Sequence, residues 1–294
     1  MKLYFRDLTK KDISAILDIS KDIWEGDDYI PDVIERWLND KDNLAYGAFL
    51  EEEMKELIGL GRVKMFPNGV AWLEGGRVKM THQKQGIGRN LMKYAIDYAI
   101  QAGARVAQYD TSSRNFGSKS LAKFHGFEEK KRMEVLECEV NKLQPREYDF
   151  SDIREISNEE AKKTYSRMDI GPGEEINIGW SYIPLSSLED KNSLWLTNSE
   201  AILQKIDIQS HTQPENPREN EVWIIVYGDP LAVCKLISYT LNFEINKDEI
   251  DLIELYCKTE ALEYIKELGF KDPSWEDEPV AVVLYEKKLN QNID

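Results

Sequence analysis

One order of elements occurs twice along this chain of 294 residues. A strand from Ala104 to Tyr109, a helix, the pair Gly126-Phe127 and a strand through Glu139 find a counterpart in Asp251 to Tyr256, a helix from Thr259 to Leu268, Gly269-Phe270 and Val280 to Tyr285. Upstream, the apolar run Val222 to Tyr227 and the helical pattern Leu231 to Phe243 stand where Val70 to Met80 and the helix after Gly86 stand in the first half. The repetition is one of element order, not of residues. It predicts an α/β fold with a mixed sheet used in tandem, with residues 1–144 as the first domain and 145–294 as the second. Leu143 to Phe150, containing Pro145, is the expected linker.

The rest of the first half fits that scheme. Lys2 to Phe5 reads as a strand, Lys10 to Asp22 and Asp32 to Asn39 as helices, and Asn43 to Leu50 and Glu56 to Lys64 as strands. Pro67-Asn68-Gly69 is a turn before Val70. A helix is expected from about Gly86 to Ala102, a short one from Ser118 to His125, and a final strand from Arg132 to Val140. Gln209 to Asn220, polar and carrying Pro214 and Pro217, reads as an exposed loop.

Charge separates the halves. Residues 1–146 carry a net of +1 and residues 147–294 a net of −17, which together make the −16 of the chain. An acidic half repels phosphate backbones, so nucleic acid is not an expected partner, whereas the near-neutral half can hold a polyanionic cofactor. Apolar stretches such as Val222 to Tyr227 are far shorter than the ~20 residues of a membrane span, and no membrane partner is expected. Three unpaired cysteines (Cys138, Cys234, Cys257) argue against a disulfide scaffold or a metal site. With no apolar leader at the N-terminus, the expected location is the cytoplasm. Oligomeric state is not legible.

Gln83-Lys84-Gln85-Gly86-Ile87-Gly88 follows a strand and opens an amphipathic helix. Two glycines at a helix entrance let backbone N–H groups converge on an anion with the positive end of the helix dipole behind them, which makes a pyrophosphate cradle. Neither a Gly-Lys-Ser/Thr nor the third glycine of a dinucleotide fold is present. The pattern Gln/Arg-x-x-Gly-x-Gly/Ala after Arg77-Val78-Lys79-Met80, followed by Asn115, Ser118 and Gly126-Phe127, resembles the GCN5-related N-acetyltransferase (GNAT) superfamily over residues 1 to about 140. The resemblance implies acetyl-CoA as cofactor. It places the pantetheine arm on backbone groups of Val78 and Met80, the pyrophosphate on the loop from Gln83 through Gln85, Gly86, Ile87, Gly88 and Arg89, and Asn115 and Ser118 near the cofactor. In the second half Gly228-Asp229-Pro230 takes the place of the cradle; Pro230 has no N–H and Asp229 adds a negative charge, so no cofactor is expected there.

Asp28-Tyr29-Ile30-Pro31, Arg36-Trp37-Leu38, Leu73 to Val78 and Trp180-Ser181-Tyr182-Ile183-Pro184 are similar to segments of the histidine N-acetyltransferase family, which also looks like an acetyltransferase domain followed by a divergent one. That resemblance implies a small-molecule amine substrate, above all the α-amine of a free amino acid such as histidine. Acetyl transfer to an amine needs a proton acceptor and donors for the carbonyl oxygen. In an extended strand Trp72, Glu74, Gly76, Val78 and Met80 share a face, and Glu74 is the expected general base, a ligand for the substrate's ammonium or imidazole and a partly exposed strand-end carboxylate being the other readings. Asp28 and Tyr29, with Trp180 and Tyr182 from the second half, are the expected substrate contacts; a helix-boundary turn and core packing are the alternatives. The family often has a tyrosine, as acid for the leaving thiolate, where this chain has Ala122, so water or Tyr109 must serve. The oxyanion donor implied is the Val78 N–H. His82 reads as a loop histidine and His125 as a helix-end cap. Acetylation of a protein or peptide, or acyl-CoA sensing without catalysis, are the competing functions.

Overall fold

The computed structural model describes residues 2–26, 28–51, 53–168, 174–188, 193–207, 220–274 and 278–289. Apart from Asn220, the expected loop from Gln209 lies outside them, as does His211. Two compact units emerge: Met1–Asp110, Phe116–Glu129 and Tyr285–Asp294 form the first, Thr111–Asn115 and Lys130–Leu284 the second.

In chain order the first elements are β1 (Tyr4–Asp7), α1 (Ile13–Ser20), α2 (Ile30–Asn39), β2 (Leu44–Phe49), β3 (Leu57–Met65), β4 (Val70–Val78), α3 (Ile87–Gln101), β5 (Val106–Ser112), α4 (Phe116–His125) and β6 (Glu128–Glu139). In the first unit β1 to β4 form an antiparallel meander, and β5 joins β4 in parallel through the α3 crossover. α2 buries Ile30, Ile34 and Trp37, one helical stripe, against a core with Ile16, Ile19 and Leu60. α3 buries Ile87, Leu91, Ala95 and Ala99 at a spacing of four.

The second unit continues with β7 (Arg154–Glu155), α5 (Asn158–Arg167), β8 (Glu175–Asn177), β9 (Tyr182–Pro184), β10 (Ser193–Thr197), β11 (Ala201–Asp207), β12 (Glu221–Gly228), α6 (Pro230–Phe243), β13 (Leu252–Cys257), α7 (Leu262–Lys266) and β14 (Val280–Lys288). Antiparallel β10, β11 and β12 lead through α6 to β13, parallel to β12. This is the route taken by β3, β4, α3 and β5, so the repetition read in the sequence is a repetition of topology. α6 is buried nearly all round, by Val233, Leu236, Ile237 and Leu241 among others, because it packs into the core of its unit.

The units differ from a cut at 144/145. β6 passes from the first unit to the second at Glu129/Lys130, and β14 passes back at Leu284/Tyr285. In the first unit the Leu289 N–H donates to Arg105 O at 2.9 Å and Gln108 Nε2 to Glu286 at 2.7 Å, so the chain's last strand completes the sheet of its first domain. A division in chain order cannot express that exchange.

Candidate active site

Strands β4 and β5 pair over Val70 to Trp72 only, against Val106 to Gln108, although β4 runs on to Val78. Beyond Trp72 the edge of β4 toward β5 is therefore unpaired by β5. The cause lies in the glycines. Between Leu60↔Arg77 and Arg62↔Glu74 three steps of β4 oppose two of β3, a bulge at Gly75-Gly76. Gly75 has φ +66° and its backbone lies so close to Trp37 that a Cβ there would come within 2.5 Å of the indole.

The bulge changes which side chains share a face. Counted along an unbroken strand Glu74 lies with Val78; in the bulged strand Glu74 and Arg77 oppose Arg62 and Leu60 and so face α1 and α2, while Val78 opposes Gly59 on the α3 side. The expected common face is corrected accordingly. Beyond the bulge, the Lys79 N–H donates to Ile58 O at 2.9 Å, which makes Lys79↔Ile58 a hydrogen-bonded pair. Val78, the next residue in the antiparallel alternation, then directs its own N–H and C=O away from β3, toward the side that β5 has left. Gln83 Nε2 reaches the Val78 carbonyl at 3.2 Å, and the Met80 carbonyl accepts the Gln83 N–H, also at 3.2 Å.

Gly86 is the N-cap of α3 at φ +84°, with no side chain capping the helix and nothing within 4 Å of where a Cβ would stand. Lys84 also takes a positive φ, +59°. The N–H groups of Ile87, Gly88 and Arg89 are the first of the helix and have no carbonyl a turn earlier to bond. They stand at the positive end of the helix dipole. Gln85 Nε2 braces the loop on Thr81 O at 3.3 Å, and the Arg89 guanidinium lies 4.3 Å from the Phe124 ring. Uncapped donors, a left-handed glycine with room beside it and a half-paired strand fit a pantetheine pyrophosphate. Ser118 lies in the first turn of α4, its carbonyl accepting the Tyr109 hydroxyl at 3.0 Å; exposed Asn115 belongs to the second unit, its N–H on Ser112 O.

Across β4, a polar network covers the α1–α2 side. Arg62 Nη1 holds Glu74 Oε1, its Nη2 holds Asp40, and its guanidinium lies 5.1 Å from the Trp37 ring. Arg77 grips Asp28 with two bonds, Nε to Oδ2 at 3.0 Å and Nη2 to Oδ1 at 2.8 Å. Ser20 Oγ donates to Asp28 Oδ2 at 2.6 Å, and the Ile30 N–H to Oδ1 at 3.3 Å. The Asp28 side chain is only 1% exposed. It thus fixes the start of α2, and an acceptor amine cannot reach it. Tyr29 is the accessible member, 39% exposed, edge-on to Trp37 at 6.2 Å and 5.2 Å from the Arg77 guanidinium. Burial of its hydroxyl pushes the phenol up to about 12, so it stays protonated at neutral pH. Arg62, Ser20 and Asp40 were not singled out in the sequence, and Arg77 only within the motif that precedes the glycine loop; the available signal was an arginine on each of two mainly apolar strands.

The remaining candidates scatter. Ala122 is buried, and burial holds the Tyr109 phenol above its usual range, stacked on Tyr285 at 5.4 Å. His125 bonds the Arg89 carbonyl at 3.0 Å, and burial lowers its pKa; His82 lies beside Thr81 Oγ1 at 2.9 Å. In the second unit Tyr182 is 2% exposed, its hydroxyl on Val282 O at 3.5 Å, so it is core. Trp180 is half-buried, edge-on to Tyr256 at 6.1 Å. Among the described residues no group of three His, Cys, Asp or Glu is placed to hold a metal, and no helix is long and apolar enough to cross a membrane.

Comparison with known proteins agrees with this geometry. Residues 13–127 match the acetyltransferase (GNAT) family. No curated protein sequence matches the chain. Among solved structures, a GCN5-related N-acetyltransferase from Sphaerobacter thermophilus is similar over 99% of this chain and 97% of its own, with TM-score 0.61 and 13% identity. One from Kribbella flavida covers 98% of this chain and 71% of its own (TM-score 0.57, 11% identity). A tandem GNAT protein from the clavulanic acid biosynthesis pathway covers 98% of each (TM-score 0.56, 11% identity). At such identities the likeness is one of fold, and it extends over both units. Residues 13–127, with the half-paired strand and the uncapped helix, are a GNAT-family acetyltransferase domain, and the chain is an acetyl-CoA-dependent N-acetyltransferase of tandem GNAT fold.

Proposed function

We propose that the acceptor is the amine of a small molecule, foremost the α-amine of a free amino acid of histidine type, and that Glu74 is the general base. The observation that carries this reading is the α1–α2 side of β4, where the accessible ring of Tyr29 lies edge-on to Trp37 and the Glu74 carboxylate is held by Arg62, whose guanidinium lies over the same indole. An aromatic face beside a carboxylate suits a small amine that is cationic or aromatic. Acetyl-CoA, when bound, supplies the acetyl group as a thioester. Arg62 orients Glu74 through Oε1, leaving Oε2 to take the amine proton directly or through water. The Val78 N–H, turned away from β3, is the donor for the thioester carbonyl oxygen.

Release of free CoA thiol with a panel of amino acids, polyamines and short peptides tests the assignment. Turnover with one or a few free amino acids is the expected result. Turnover with peptides alone transfers the reading to a peptide N-acetyltransferase, and binding of acetyl-CoA with no turnover on any amine to an acyl-CoA sensor.

A further inference from the structure

The second unit has a groove of about 890 Å³ where β12 and β13 end, the place that the cofactor cleft takes in the first unit. It does not repeat the cradle. Asp229 Oδ1 accepts the N–H groups of Leu231 and Ala232 at 2.9 and 3.1 Å, so α6 caps itself, and Pro230 offers no donor. What the groove offers instead is side-chain charge of both signs. Arg154, Arg167 and Lys258 line it, balanced by Glu200, Asp229 and Glu260, within a half whose net charge is −17. Arg154 is paired with Glu160 and Asp229 is spent on the cap. Among the described residues Lys258, Arg167, Glu200 and Glu260 have no side-chain hydrogen bond or ion pair, and Lys258 is half-buried. Burial lowers the pKa of Lys258, with the charge of Glu260 opposing the shift.

We propose that this groove binds a short zwitterionic peptide, its carboxylate on Lys258 and Arg167 and its amine among Glu200 and Glu260. Balanced lining charge favours a ligand with both signs over a simple anion. A cavity of this volume suits a ligand of drug size, and a single amino acid would leave most of it unfilled.

The test is calorimetric titration of the full chain, without acetyl-CoA, with trialanine and with its N-acetylated and C-amidated forms. Saturable binding of free-ended trialanine, weakened tenfold or more by blocking either end and by Lys258→Met or exposed-site Arg167→Gln, is expected, with Tyr29→Ala leaving it unchanged. Circular dichroism confirms that Lys258→Met is folded. Equal binding of the blocked peptides, binding lost in Tyr29→Ala and kept in both groove variants, or no binding overturns the proposal.

Discussion

Arg62 fixes Glu74 Oε1, and in the proposed role of general base Oε2 is the oxygen that takes the proton. Glu74→Gln keeps an oxygen for Arg62 and removes the base. We expect kcat to fall about 10²–10⁴-fold with the KM for acetyl-CoA unchanged; steady-state thiol release measures both, and an undiminished kcat excludes Glu74 as base. Arg77 poses a different question, one of stability. Its partner Asp28 is enclosed, so Arg77→Met strands a buried carboxylate and is expected to cost about 3–5 kcal/mol in denaturant unfolding. A variant as stable as the parent would show that Ser20 and the Ile30 N–H suffice for Asp28. Glu74 was legible in the sequence as a carboxylate on a strand leading to a glycine loop. Its true neighbours were not, because the register that joins Arg62 to Glu74, and Arg77 to a residue 49 positions away, depends on a bulge that alternation alone does not reveal.

The two crossover helices share a topology and differ at their entrances. α3 begins at a glycine that caps nothing, and α6 at an aspartate that takes two of its N–H groups. Binding of CoA should therefore saturate at one per chain in calorimetry; two equivalents would mean that the Asp229 cap opens. Within α3 the two glycines have separable roles. A Cβ on Gly86 meets no protein atom, so Gly86→Ala is charged only with its left-handed backbone, about 1–2 kcal/mol, and with crowding a ligand. A Cβ on Gly88 finds Leu121 at an ordinary 3.6 Å, so Gly88→Ala is expected to stabilise the helix by up to about 1 kcal/mol. We expect both to weaken CoA tenfold or more, about 1.4 kcal/mol, so that in Gly88→Ala affinity falls as the melting temperature rises. Unchanged CoA affinity in both would remove the cradle from this loop. Helices such as α2 and α3 were legible because their apolar stripes are regular. α5 and the strands β7 to β11 were not read as elements, for α5 is strongly polar in sequence and several of those strands are only two to five residues long.

Over the whole molecule, the tandem plan was legible from element order and the exchange of end strands was not, since β6 and β14 look like ordinary terminal strands of their own halves. Stability against alkali is a property at the same scale, summed over groups in both units. Burial pushes Lys131 down to about 8 although its Nζ donates to the Glu175 carbonyl at 2.5 Å, and it lowers Lys258 as well. The unfolded chain holds these protons to about pH 10.4. Between pH 8 and 9 it therefore binds more protons than the folded chain, and stability rises with pH, by at most about 1.4 kcal/mol per unit for each lysine. The cysteines act the other way. Burial pushes Cys234 up to about 11 and raises Cys138 and Cys257, so above pH 9 the unfolded chain loses thiol protons that the folded one keeps, and stability is lost. Tyr109, Tyr165 and Tyr227, raised by burial, add to that loss above pH 10. Urea midpoints taken from pH 7.5 to 10.5 should pass through a maximum near pH 9. In Lys131→Met the rise should shrink while the alkaline fall persists; a rise of full size in that variant would mean that Lys131 ionises in the folded chain as it does in water.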